Sequence, residues 1–83
     1  MNKQITLLRM FEVSLNISDD PFILSIHDCE SGKTAETTYD LTKGSAANQA
    51  VMYLNRKGIM ITYMALSTGE SVALLTEDLT TDL

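Results

Sequence analysis

Apolar and polar positions alternate strictly from Phe11 to Ser18. Phe11, Val13, Leu15 and Ile17 fall on one side, and Glu12, Ser14, Asn16 and Ser18 on the other. A sustained period of two predicts a half-buried strand. Ile5 and Leu7 extend its apolar side backwards, with Arg9 interrupting it. Asp19-Asp20-Pro21 then makes a turn, because proline fixes its own φ and biases the preceding residue away from helix. A second alternating run follows: Phe22, Leu24 and Ile26 face one way, and Ile23, Ser25, His27 and Cys29 the other. Ser31-Gly32 is a hairpin signal. Lys33 to Leu41 reads as a third strand, with Ala35, Thr37, Tyr39 and Leu41 on one face.

These patterns carry registers. Pairing Ile17 with Phe22 across the first turn sets Leu15 against Leu24 and Val13 against Ile26. Pairing Glu30 with Lys33 across the second sets Ile26 against Thr37, Leu24 against Tyr39 and Phe22 against Leu41. Both pairings gather apolar residues on one face, and a slip of one residue would turn a strand inside out. A three-stranded meander is the expected result.

The period then changes. Ala47, Ala50, Val51 and Leu54 form a stripe at helical spacing. Ser45 is placed to cap the free N–H groups of the first turn. Arg56 and Lys57 fall in the last turn, where cations suit the helix dipole, and Gly58 supplies a left-handed stop. The helix spans about three turns. Ile59 to Leu66 is apolar on both sides, which predicts a central or doubly covered strand. Thr68-Gly69 turns it into a last strand, Ser71 to Thr76, and the acidic tail 77–83 is expected to fray. The fold class is α+β, in the order β-β-β-α-β-β: one mainly antiparallel sheet with one helix packed on one face. Residues 1–83 form a single domain.

Composition narrows this picture. A chain of 83 residues can bury one sheet-plus-helix core with little stability to spare. At 45% hydrophobic and 20% charged residues, it is globular rather than disordered. The single cysteine, Cys29, forms no internal disulfide and fits a reducing compartment. No basic start precedes an apolar signal core, and the longest apolar-rich run, Gly58 to Leu66, is too short to span a bilayer. A cytoplasmic protein without membrane contact is expected.

The formal net charge of −5 is unevenly placed. Residues 19–40 hold Asp19, Asp20, Asp28, Glu30, Glu36 and Asp40 against Lys33 alone. Residues 70–83 hold Glu70, Glu77, Asp78 and Asp82 and no base, whereas residues 41–69 hold Lys43, Arg56 and Lys57 and no acid. Such a surface repels nucleic acid and attracts basic partners. There is no stripe of basic residues with stacking aromatics, so direct nucleic-acid binding is not expected.

Candidate chemistry is sparse. In "IHDCESGK", the expected registers place His27 between Glu12 and Glu36 on the outward face, within cross-strand contact. A solvated charge ladder is the leading reading of this triplet. A divalent metal site would want three or four converging ligands. Residues i and i+2 on a strand sit about 6–7 Å apart, so His27 cannot activate Cys29 as a nucleophile. "SGKT" at Ser31 to Thr34 lacks the upstream glycine of a phosphate loop, and "KGSAANQ" reads as an ordinary helix cap. Neither a catalytic residue, a metal nor a cofactor is expected. On the helix, Gln49, Met52, Tyr53 and Arg56 lie away from the core stripe, and an outward methionine beside tyrosine and arginine suits a partner surface. On the fourth strand, Met60, Met64 and Leu66 form a second apolar face that needs cover from a partner, a second copy or the N-terminal segment.

In size, acidity and layout the whole chain resembles the small acidic proteins made by phages and mobile elements to block host defence, a group that includes anti-CRISPR proteins. The resemblance implies a non-catalytic viral inhibitor in the bacterial cytoplasm. It would bind a protein partner and occupy that partner's basic, nucleic-acid-binding surface, with carboxylates standing where phosphates would. The candidate contacts are Asp19 and Asp20 at one turn, Asp28, Glu30, Glu36 and Asp40 along the second hairpin, and Glu77 and Asp78 near the tail. Met52, Tyr53 and Arg56 join them from the helix. The alternative is a homodimeric structural or assembly module, held through the apolar face of the fourth strand.

Overall fold

A computed structural model describes residues 7–18, 20–66 and 71–83. Five strands and one helix follow the expected order: β1 Arg9–Asn16, β2 Ile23–Asp28, β3 Thr34–Thr38, α1 Ala46–Arg56, β4 Tyr63–Leu66 and β5 Ser71–Thr76. They form one antiparallel sheet in the order β3-β2-β1-β5-β4. The fold is α+β, with α1 lying across β1, β2 and β5 on one face. The backward extension at Ile5, the turn residue Asp19 and the Thr68-Gly69 turn lie outside the described residues.

The alternating strand behaves as its pattern requires as far as Asn16; Ile17, expected on the buried side, lies past the end of β1 and is exposed. Phe11 and Val13 of β1 are buried with Leu24 and Ile26 of β2 and Leu74 of β5. Ala47, Ala50 and Leu54 of α1 close over them. The β1–β2 register matches the expectation, Val13 against Ile26 and Leu15 against Leu24.

The helix ends are set locally. The Ser45 hydroxyl accepts from the Asn48 N–H at 3.2 Å. At the other end Gly58 adopts φ +91°. Its N–H donates to the Asn55 carbonyl at 3.0 Å, and the Ile59 N–H donates to the Leu54 carbonyl at 2.9 Å. This is a Schellman stop, and its usual apolar contact is Ile59 with Leu54, both fully buried.

Two expectations about strand pairing fail. The β2–β3 register is offset by two residues: Ile26 faces Ala35 and Leu24 faces Thr37. The connecting loop is longer than a two-residue turn because Asp28 organises it. The Asp28 N–H donates to the Lys33 carbonyl at 2.8 Å, and the Gly32 N–H donates to the Asp28 carbonyl at 2.9 Å. The Asp28 carboxylate also accepts from the Glu30 N–H and the Ser31 hydroxyl. An offset of two keeps every side chain on its face, so the hydrophobic pattern cannot distinguish the two registers. The second failure is β4, which is shorter than expected and lies at the sheet edge rather than its centre.

The segment 77–83, expected to fray, is tied down. Arg9 donates to the Thr81 carbonyl at 2.7 Å and to the Asp78 carbonyl at 3.4 Å. The Asp78 carboxylate accepts from the N–H and hydroxyl groups of Thr80 and Thr81. Leu83 packs against the core.

Candidate protein-binding surface

With α1 on one side only, the other face of the sheet is open, and its two halves differ. Over β1, β2 and β3 the outward positions are Met10, Glu12, Ser14, Asn16, Ile23, Ser25, His27, Thr34, Glu36 and Thr38. This half carries two glutamates and no lysine or arginine. Over β5 and β4 it carries Leu75, Ala73, Tyr63 and Ala65, all uncharged. Glu30 stands exposed in the β2–β3 loop, at the end of the acidic half.

The register correction changes the histidine ladder. His27 lies between Glu12 of β1 and Thr34 of β3, while Glu36 faces Ser25. Its Nδ1 lies 2.8 Å from the Thr34 hydroxyl. Glu36 is therefore a diagonal neighbour rather than a direct one, and the expected Glu12–His27–Glu36 row is broken. Among the described residues no three His, Cys, Asp or Glu side chains are grouped to hold a metal ion. Cys29 leaves the strand for the loop, where its N–H donates to the Met10 carbonyl at 3.1 Å. Although Cys29 is exposed, partial desolvation of its sulfur and the nearby Glu12 carboxylate push the thiol pKa up, the opposite of activation.

The expected acidic contacts separate into groups. Asp28 is fully buried and pairs with Arg9 at 2.6 Å. Burial pushes its carboxyl pKa up, but hydrogen bonds from Arg9, Glu30 and Ser31 prevail and hold it well below the usual carboxylate range. Asp28 thus belongs to the fold and offers nothing to a partner. Asp78 is likewise occupied: the Thr81 hydroxyl and N–H, then the Thr80 N–H, hold its carboxyl well below the usual range. Glu77 is exposed beside it, at the C-terminal end of β5. Asp19 lies outside the described residues.

Asp20 and Asp40 sit at the far end of the sheet, around a hollow with Phe22, Tyr39 and Leu41. Asp40 also borders a groove of about 120 Å³ between β3 and α1, and there Met52, Tyr53 and Arg56 meet it together with Lys43. Lys43 and Asp40 are 3.9 Å apart. Hydrogen bonds from the Thr42 hydroxyl and N–H lower the Asp40 pKa. Gln49 holds this loop in place: its amide donates to the Asp40 and Gly44 carbonyls at 2.6 and 3.0 Å and its carbonyl accepts from the Asp40 N–H at 3.0 Å. The helix residues and the sheet carboxylates therefore lie on different faces. Asp40 borders both the groove and the hollow, and Tyr53, expected to lie away from the core stripe, packs partly against the core.

Arg9 is the residue that the sequence reading missed. It stacks 4.9 Å from the centre of the Phe11 ring and pairs with Asp28 inside the core. A signal was present: Arg9 and Asp28 both fall on the apolar register of neighbouring strands, and two opposite charges on one buried face have to meet.

No protein-family model, curated protein or solved structure matches the chain. Among the described residues no helix is long and apolar enough to cross a membrane.

Proposed function

We propose that this is a non-catalytic protein that binds a basic partner surface through the acidic half of its open sheet face. The observation that carries this reading is the outward side of β1, β2 and β3, where Glu12 and Glu36 are displayed without a lysine or arginine among them, with Glu30 at the rim. Carboxylates held on a rigid sheet can line a cationic groove where phosphates would otherwise lie, which blocks nucleic acid by charge and by bulk. Small size, acidity and layout support an anti-defence inhibitor of phage or mobile-element origin, acting in a bacterial cytoplasm.

The test is capture of the partner at low and high salt, with the variant Glu30→Lys/Glu36→Lys beside the native chain. Exposed charges more than about 10 Å apart are largely screened at 0.1 M salt, so the native complex weakens steeply as salt is added. The double reversal abolishes capture while the circular dichroism and melting temperature stay as in the native chain. Capture that survives the reversal rules out the acidic face as the binding surface.

A further inference from the structure

The helix crosses the sheet off centre. It packs on β1, β2 and β5 but not on β3. The flank of α1 that looks toward β3 is therefore uncovered, and the groove of about 120 Å³ runs between the two. Its helix wall is Gln49, Met52, Tyr53 and Arg56. These positions recur at helical spacing, so they form one stripe about 10 Å long. The stripe is graded along its length. Gln49, at one end, is spent on the Asp40 and Gly44 carbonyls. Met52 and Tyr53 make an apolar middle, with Met52 47% exposed. Arg56, at the other end, is exposed, and among the described residues no carboxylate pairs with it. Local charge also departs from that of the rest of the protein. Residues 41–69 hold Lys43, Arg56 and Lys57 and no acid. The carboxylate that borders the groove, Asp40, is already engaged: it accepts from the Thr42 N–H and hydroxyl and lies 3.9 Å from Lys43.

We propose that this groove takes an acidic side chain of a protein partner, a glutamate or aspartate seated against Arg56, with the apolar residue beside it laid on Met52 and Tyr53. Size and charge select this occupant. Pockets for small-molecule ligands run to about 300–1,000 Å³, so a groove of about 120 Å³ admits single side chains rather than a cofactor. A guanidinium without an acid of its own presents forked donors that match a carboxylate. A cationic occupant would meet Arg56 and Lys43 and find only the satisfied Asp40 in return. The net charge of −5 acts weakly here, because exposed charges beyond about 8 Å are largely screened at physiological ionic strength, whereas the cations of the groove act at contact. Methionine, tyrosine and arginine are also the residue types enriched where proteins meet. Thr37, on the sheet wall of the groove, pairs with buried Leu24, so the groove opens on the helix side of the sheet. Glu12 and Glu36 lie on the other side. This inference goes beyond the acidic-face reading and does not depend on it.

Nuclear magnetic resonance on the isotope-labelled full chain decides the matter. The probe is a capped tetrapeptide of alternating leucine and glutamate, and its control is the same peptide with glutamine for glutamate. The glutamate peptide should give saturable shifts at the amides of Thr37, Met52, Tyr53 and Arg56. The glutamine peptide should bind roughly tenfold more weakly, the worth of one charge-assisted hydrogen bond. Arg56→Gln should bring the glutamate peptide down to that level, and Arg56→Lys should recover part of the loss, since an ammonium keeps the charge without the fork. If Arg56→Gln disturbs the whole spectrum, Lys43→Gln, in an exposed loop, carries the same test and weakens the glutamate peptide severalfold. Shifts that are absent, or spread outside the groove, overturn the proposal. So do equal affinities for the two peptides, or a folded Arg56→Gln variant that binds as the native chain does. Inorganic phosphate that reproduces the same shifts at the same concentration also overturns it, because the groove would then take any anion.

Discussion

Arg9 and Lys33 both hold the C-terminal segment, one from inside the core and one from the surface. Arg9 is buried with Asp28 and spends its remaining donors on the Asp78 and Thr81 carbonyls. Lys33 meets Asp82 at 2.8 Å in the open, with the two side chains 57% and 73% exposed. The distances are similar and the physics is not. Water already solvates Lys33 and Asp82, so their pairing replaces good interactions with others about as good. Arg9 and Asp28 have given up nearly all contact with water, and each is tolerable only because the other is there. In an acidic protein, then, counting carboxylates does not count binding groups. Asp28 is consumed by the fold, while Glu12, Glu30 and Glu36 remain available to a partner.

Removing Asp28 gives the largest expected effect. Asp28→Ala strands a buried guanidinium and strips the β2–β3 loop of its organising carboxylate, and breaking a buried pair in this way costs roughly 3–5 kcal/mol. A domain of this size has a total stability of about that magnitude. Urea unfolding should find Asp28→Ala largely unfolded at 25 °C. A midpoint close to the native one would mean that the core tolerates Arg9 alone, and the contrast between the pairs would collapse.

Acid gives the next effect. The folded-state pKa of Asp28 lies well below its unfolded value, so its contribution is complete above about pH 4 and is lost as pH falls below that toward the folded value. Asp78 acts in the same direction. The urea midpoint should therefore drop between about pH 4 and pH 2, where these carboxylates take up protons on unfolding. The drop should persist in Asp82→Asn, because the exposed pair contributes little to it. Its disappearance in that variant would assign the acid sensitivity to the surface instead.

The smallest effect belongs to the exposed pair itself. Asp82→Ala should leave the melting temperature at pH 7 unchanged within error, and added salt should not alter that result. A clear loss of stability would show that Lys33 anchors the C-terminal segment independently of Arg9.

What could be read from residues alone was whatever repeats at short range. Phe11 to Leu15 alternate within β1 and meet the expected partners in β2. Ser45 and Gly58 bracket a helix whose stripe of Ala47, Ala50 and Leu54 is the buried one. Such features need only a residue and its near neighbours. The candidate surface was legible in the same partial way. Glu36 is exposed as expected, because polar positions of an alternating strand face out, and Glu30 is exposed because it lies in the β2–β3 loop. Asp28 looked equivalent to them and is not, since its partner lies nineteen positions away and on another strand.

The sequence by itself therefore determined which side of each element is apolar, where the helix begins and stops, and how β1 meets β2. Tertiary structure decided the rest. It chose the β2–β3 register, because an offset of two leaves every face unchanged and only the Asp28 loop distinguishes the alternatives. It enclosed Arg9 with Asp28. It also set β5 beside β1 and left β4 outermost, because a strand's own pattern specifies the faces it must bury and not which strand will lie next to it.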